Sequence, residues 1–144
     1  MADARQGFER IGTRLVQIEV SGKVAWMLAG TDRAARLSGP CVRLLGAFDA
    51  YLLGYARRDL ALSRSFARRI QAGGGWIHPA LVVDGRVVGT WRQQRTAGGL
   101  AVTVKPFEGI PRDVRPRLEA EARDVGRFLS LDVQFAVDSR PRNH

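Results

Sequence analysis

The sequence predicts an α+β fold: a short helix and hairpin open the chain, and a small antiparallel, barrel-like β domain with one long C-terminal helix follows. Three observations carry this. Asp84-Gly85 links two apolar, β-branched runs within Trp76 to Gln93, and a type I′ hairpin turn needs φ > 0 at both of its central residues. Ser21-Gly22 stands in the same relation to the runs on either side of it. Between Asp113 and Leu129, the residues Val114, Leu118, Ala122, Val125, Phe128 and Leu129 follow the 3.6-residue period of a helix.

Taken in order, Ala2 to Ile11 reads as a short helix with Phe8 and Ile11 on one face and Gly12 as its C-cap. Arg14 to Leu28 reads as a hairpin pairing Val20 with Lys23 and Ile18 with Ala25. A short helix running straight into a basic-tipped hairpin is the order in which a winged helix ends. Thr31 to Ser38 is expected as a helical turn capped by Thr31, and Ser38-Gly39-Pro40 as a domain boundary. Val42 to Leu45 reads as a strand, and Asp49 as the cap of a short helix over Ala50 to Tyr55. Arg57 to Gln71 is basic, and Gly73-Gly74-Gly75 ends it as a strand lead-in.

The Asp84-Gly85 register sets Val83 opposite Arg86, Val82 opposite Val87, Leu81 opposite Val88 and His78 opposite Trp91. One face then carries Ala80, Val82, Val87 and Trp91, the other Ile77, Leu81, Val88 and Thr90, so both faces call for cover. Pro79, without an N–H, belongs at an edge or a bulge. Thr96 to Gly99 turns the chain into a third strand, Leu100 to Lys105, and Pro106 to Pro111 is a loop. On the long helix, Val114, Leu118, Val125 and Phe128 are the expected packing residues, and the mixed charges opposite them are a solvated face. Leu131 to Val137 is expected to join the same sheet, with a frayed polar tail from Asp138 to His144.

Composition bounds the function. The chain has 144 residues, 45% of them hydrophobic, enough for one packed domain and a remnant of another. No apolar run approaches a membrane span and the polar start is not a signal peptide, so a cytoplasmic location is expected, nucleoid-associated if the source is bacterial. Cys41 stands alone, which excludes an internal disulfide and points to a reducing compartment. A net charge of +9 favours a polyanionic partner, of which nucleic acid is the commonest.

Most chemistry is unsupported. Cys41, His78 and His144 do not make a zinc site, no nucleophile elbow occurs, and no metal or cofactor is expected. Asp49 is more readily a helix cap than an acid catalyst, and His78 more readily a structural histidine than a base. Adjacent Gln93 and Gln94 point to opposite faces of a strand and cannot act on one atom.

Val42 to Leu60 (VRLLGAFDAYLLGYARRDL), then Gly73 to Arg92 (GGGWIHPALVVDGRVVGTWR), resembles the C-terminal region of the winged-helix DNA-binding family that includes the crosslink-repair DNA glycosylases. Residues 2–5 and 14–20 resemble the end of that family's last winged helix. The resemblance implies three parts: residues 1–38 as a remnant of the last winged helix with recognition helix and wing, residues 40–137 as the barrel-like C-terminal domain, and residues 138–144 as a disordered tail. It also implies DNA binding. The family's catalytic Gln-x-Gln or Gln-x-Asp segment has no counterpart here, so no catalytic residue is assigned and the expected role is a non-catalytic module on duplex DNA. The alternative is an interaction domain docking onto a separately encoded N-terminal winged-helix half. Expected phosphate contacts are Arg5, Arg10, Arg14 and Lys23 on the helix and wing, and Arg57, Arg58, Arg64, Arg68 and Arg69 on a second surface.

Overall fold

The structure is a computed structural model and describes residues 2–20, 22–31, 39–54 and 58–138, with backbone alone for residues 2–5. It divides into two compact units, Met1–Arg36 and Leu37–His144.

In the first unit, α1 (Ala2–Ile11) ends at Gly12, whose φ of +48° takes the chain out of the helix into a 3-10 turn, Gly12–Arg14. Strands β1 (Leu15–Val20) and β2 (Lys23–Leu28) form an antiparallel hairpin with Val20 opposite Lys23 and Ile18 opposite Ala25, as the Ser-Gly link predicts. The face bearing Val16, Ile18, Val20, Ala25 and Met27 is half-buried, and the face bearing Val24, Trp26 and Leu28 is exposed. The expected turn after Thr31 falls on residues 32–38, outside the described residues.

The second unit is a five-stranded sheet in the order β3 (Val42–Leu45), β4 (Ala80–Val83), β5 (Arg86–Thr96), β6 (Gly99–Pro106), β7 (Val133–Val137). Every pair is antiparallel except β6–β7, because the helix α4 (Val114–Leu129) crosses over between them. The expected meander and final strand are therefore present. The expected barrel is not: β3 and β7 stand at opposite edges of an open sheet, and α4 packs against both.

Both sheet faces are covered. On one, α4 lays Val114, Leu118 and Ala122 over Leu44, Leu81, Leu100, Val102 and Val104. On the other, α2 (Ala50–Leu53), α3 (Ala67–Ile70) and their connection place Leu52, Leu62 and Ile70 over Ile77, Ala80, Val82 and Val87. Each fully buried aliphatic side chain contributes about 1.5–3 kcal/mol.

The Asp84-Gly85 turn has the predicted conformation, with φ of +48° and +77°. Asp84 also ties the turn to β3: its Oδ1 accepts the Cys41 N–H at 2.8 Å, and its own N–H donates to the Cys41 carbonyl at 2.8 Å. The register holds for Val83–Arg86 and Val82–Val87 and then shifts. Leu81 faces Gly89 rather than Val88, so β5 carries a bulge, and Trp91 comes opposite Pro79 rather than His78. Gly89 accounts for the site of the irregularity: a Cβ there would lie 2.7 Å from the Lys105 carbonyl oxygen. One extra residue reverses the alternation beyond it on β5, so Trp91 packs on the α4 face, its Nε1 donating to the Leu45 carbonyl at 2.7 Å. Ile77, which lies ahead of β4 and bridges to Gln71, packs on the other face.

The long helix is corrected at one position. Val114, Leu118 and Val125 pack as expected, but Phe128 is 87% exposed. The buried stripe runs through Ala122, Gly126 and Leu129, and Phe128 lies about a quarter-turn outside it. Gly126 meets the chain entering β7 so closely that a Cβ would collide with Val133 Cγ2 and fall 2.6 Å from the Leu131 carbonyl oxygen. Ser130, left-handed at φ +55°, closes the helix in a Schellman arrangement: its N–H donates to the Arg127 carbonyl and the Leu131 N–H to the Gly126 carbonyl. Asp138, expected in the polar tail, is tied to the sheet: its N–H donates to the Val104 carbonyl and its carboxylate meets Lys105 Nζ at 4.0 Å. Residues 139–144 lie outside the described residues.

Candidate nucleic-acid interface

The first unit presents Arg10 in the last turn of α1 and Arg14 at the end of the 3-10 turn, both exposed. Lys23 opens β2, directly opposite Val20 on the half-buried face, and is itself half-buried. The helix-to-hairpin order thus brings three of the four expected contacts onto adjoining elements of one unit. The Arg5 side chain lies outside the described residues.

The second unit carries the other basic group, and its members differ. Arg64 and Arg68 are exposed. Arg69 is exposed too, but its guanidinium sits 5.0 Å from the Phe107 ring centroid and 5.8 Å from that of Phe66. A cation held over aromatic rings keeps its outward N–H groups available to an anion. Arg58 has a structural job: half-buried, it donates Nε to the Leu52 carbonyl at the end of α2. Arg57 lies outside the described residues. On α4, Arg115 and Arg123 share Glu119, and Arg127 pairs with Asp124 at 3.1 Å. That matches the solvated face expected there, and such exposed pairs each contribute at most about 1 kcal/mol.

Of the two candidate catalytic side chains, Asp49 has a structural role. The Asp49 Oδ1 accepts the Tyr51 N–H at 2.8 Å and caps α2. His78 is half-buried and its backbone N–H donates to the Ile70 carbonyl. An open cleft of about 260 Å³ lies between β3 and α4, beside Cys41, Arg43, Arg117 and Glu121. The Glu121 carboxylate is occupied there, accepting the Leu44 N–H at 3.2 Å and an Arg43 N–H at 3.4 Å. Among the described residues no three His, Cys, Asp or Glu side chains gather to hold a metal ion. No helix among them is long and apolar enough to cross a membrane.

Two surface features escape a reading by charge and motif. β5 exposes Arg86, Arg92 and Arg95, the last two within residues 92–96, where the strand is exposed on both faces. Phe48 and Trp76, 42% and 53% exposed, form an edge-to-face pair with ring centroids 4.9 Å apart. Phe48 adopts φ +58°, a conformation that costs a bulky residue about 1–3 kcal/mol. Trp76 is delivered by Gly73, Gly74 and Gly75, all at positive φ. The visible signal lay in the Phe48-Asp49 and Gly74-Gly75-Trp76 segments, which carry the resemblance but suggest no role.

With this α+β arrangement and its arginine surfaces in hand, comparison with known proteins supplies the class: the chain matches the family described as DNA glycosylase AlkZ-like over residues 1–128, and it belongs to that family. It is 34% identical over 126 residues to the interstrand DNA cross-link repair glycosylase of Streptomyces sahachiroi, a match covering 85% of this chain and 33% of that protein. The solved structure of Streptomyces sahachiroi DNA glycosylase AlkZ superposes with a TM-score of 0.64 at 32% identity, covering 93% of this chain and 37% of that one. The chain spans about a third of the length of the curated relative it matches.

Proposed function

We propose that this chain is a non-catalytic DNA-binding module of its DNA-repair family, holding duplex DNA mainly through arginine–phosphate contacts. The observation that carries the reading is the pair of basic surfaces, one in each unit, on a chain of net charge +9 in a family of DNA glycosylases. In this reading residues 1–38 are the end of a winged helix, with Arg5 and Arg10 on the recognition helix and Arg14 and Lys23 on the wing. Residues 40–137 form the C-terminal domain, where Arg64, Arg68 and Arg69 lead the second surface. Arg58, committed to the Leu52 carbonyl, contributes field rather than a direct contact. Base excision requires a pocket for an extruded base and a group that activates water or steadies the sugar cation. The Asp49 carboxylate, one of the two candidates, is engaged in capping α2.

The test is a fluorescence-anisotropy titration of duplex DNA against salt. Binding should weaken steeply with salt, and each substitution that removes an arginine–phosphate pairing should lower the slope of log affinity against log salt by about one. Arg10→Gln with Lys23→Gln should weaken binding to all duplexes alike, because phosphate contacts carry no sequence information. No binding at low salt would end this reading. Base release from alkylated or crosslinked DNA that survives repurification would end its non-catalytic part.

A second reading is favoured by one observation: the apolar side chains Phe8, Val24, Trp26 and Leu28 of the first unit are exposed. A separately encoded winged-helix half of a repair glycosylase would cover them. That reading expects weak DNA binding by this chain alone at physiological salt and its restoration when the other half is added.

A further inference from the structure

We infer that the exposed Phe48–Trp76 pair is a stacking platform for an unpaired base of single-stranded DNA. The inference deepens the DNA-binding reading and rests on it. The two rings are 4.9 Å apart on loops that bracket the second covering layer: Phe48 stands just ahead of α2, and Trp76 leaves the glycine run just after α3. Both loops are held in place. The Asp49 carboxylate caps α2 immediately after Phe48. The Trp76 N–H donates to the Gly73 carbonyl, its carbonyl accepts the Ala72 N–H, and Ile77 bridges to Gln71. A left-handed Phe48 and three successive left-handed glycines thus deliver two aromatic rings to the surface rather than to the core beneath.

The occupant follows from charge. From Gly46 to His78 the sequence carries five arginines against Asp49 and Asp59, and the Asp49 carboxylate is already hydrogen-bonded to the Tyr51 N–H. An exposed aromatic pair in an arginine-rich layer matches a ligand with flat apolar faces strung on a polyanion. Paired bases inside a duplex keep their faces stacked on one another, so the platform selects a strand whose bases are free.

The experiment titrates the full chain with oligothymidylate of about 12 nucleotides, within the span of known single-strand site sizes, and with a duplex of equal length. Tryptophan fluorescence and anisotropy are followed together. Single strands should quench the tryptophan emission. Trp76→Ala should remove that quench and weaken single-strand binding about tenfold, with Trp76→Phe restoring most of the affinity. Phe48→Gly supplies the control for folding, since glycine accepts φ +58° freely; it should weaken single-strand binding while leaving the melting temperature unchanged or higher. Duplex affinity and its salt slope should be unaffected by either change. Parent-like single-strand affinity in Trp76→Ala and Phe48→Gly, with duplex binding intact, overturns this inference and leaves the module reading standing. Self-association of the chain that Trp76→Ala abolishes puts a protein on the patch and also overturns it. Failure to bind either nucleic acid at low salt overturns both.

Discussion

The two units use hydrophobic residues differently. In the second, the buried side chains from Val42 to Ala122 sit in two layers, one on each face of a five-stranded sheet. In the first, where Val24 is 64% exposed and Trp26 51%, no described side chain is fully buried. Both units have correct local signals: an Asp-Gly or Ser-Gly link and a periodic helix. What separates them is a second layer. A two-stranded hairpin is marginal alone, and a ten-residue helix is too short to persist without packing. Periodicity makes a face available; only a neighbour buries it.

The sharpest way to break this comparison is to remove a side chain from the layered unit. Leu118 is fully buried between α4 and the sheet, and Leu118→Ala should destabilise the second unit by about 2–5 kcal/mol in chemical denaturation. A loss under about 1 kcal/mol would mean that the α4 layer is not the core described above. The next effect tests close approach. Gly126→Ala would normally favour a helix, but its Cβ would meet the Leu131 carbonyl oxygen at 2.6 Å and collide with Val133 Cγ2. The expected outcome is a net loss of about 1–3 kcal/mol, read as a lower melting temperature, and a gain would refute the tight α4–β7 join.

Smaller effects sharpen the contrast. Glu121→Ala leaves the Leu44 N–H of an edge strand without its acceptor and should cost about 1–2 kcal/mol, with faster hydrogen exchange confined to β3. Gly85→Val should cost about 1 kcal/mol or more, because a β-branched residue resists φ +77°. In the first unit, Trp26→Ala should change stability by about 0.5 kcal/mol or less, since half of that side chain is already in water. Its amides should exchange faster than those of β4 to β6, and equal protection in the two units would remove the contrast altogether.

Features set within a few residues were legible in the sequence: the Asp84-Gly85 turn, the Val20–Lys23 pairing, the Asp49 cap, the extents of α1 and α4, and the alternation that buries Val102 and Val104. Steric limits on φ, a hydrogen bond two residues away and strand or helix periodicity decide these, and none needs a distant partner. The rest came from residues far apart in the chain. The bulge at Gly89 depends on the approach of Lys105 and Pro106, and it moves Trp91 to the opposite face from the one alternation assigns. Phe128 is exposed because the stripe of α4 that packs runs through Ala122, Gly126 and Leu129, and Arg58 is diverted by the Leu52 carbonyl. The open order of the sheet rests on a parallel β6–β7 pairing across a helix. By itself the sequence determined the family, the local elements and the excess of arginine. Only the tertiary structure decided which arginines and which aromatic rings face outward, because exposure depends on what the rest of the chain covers.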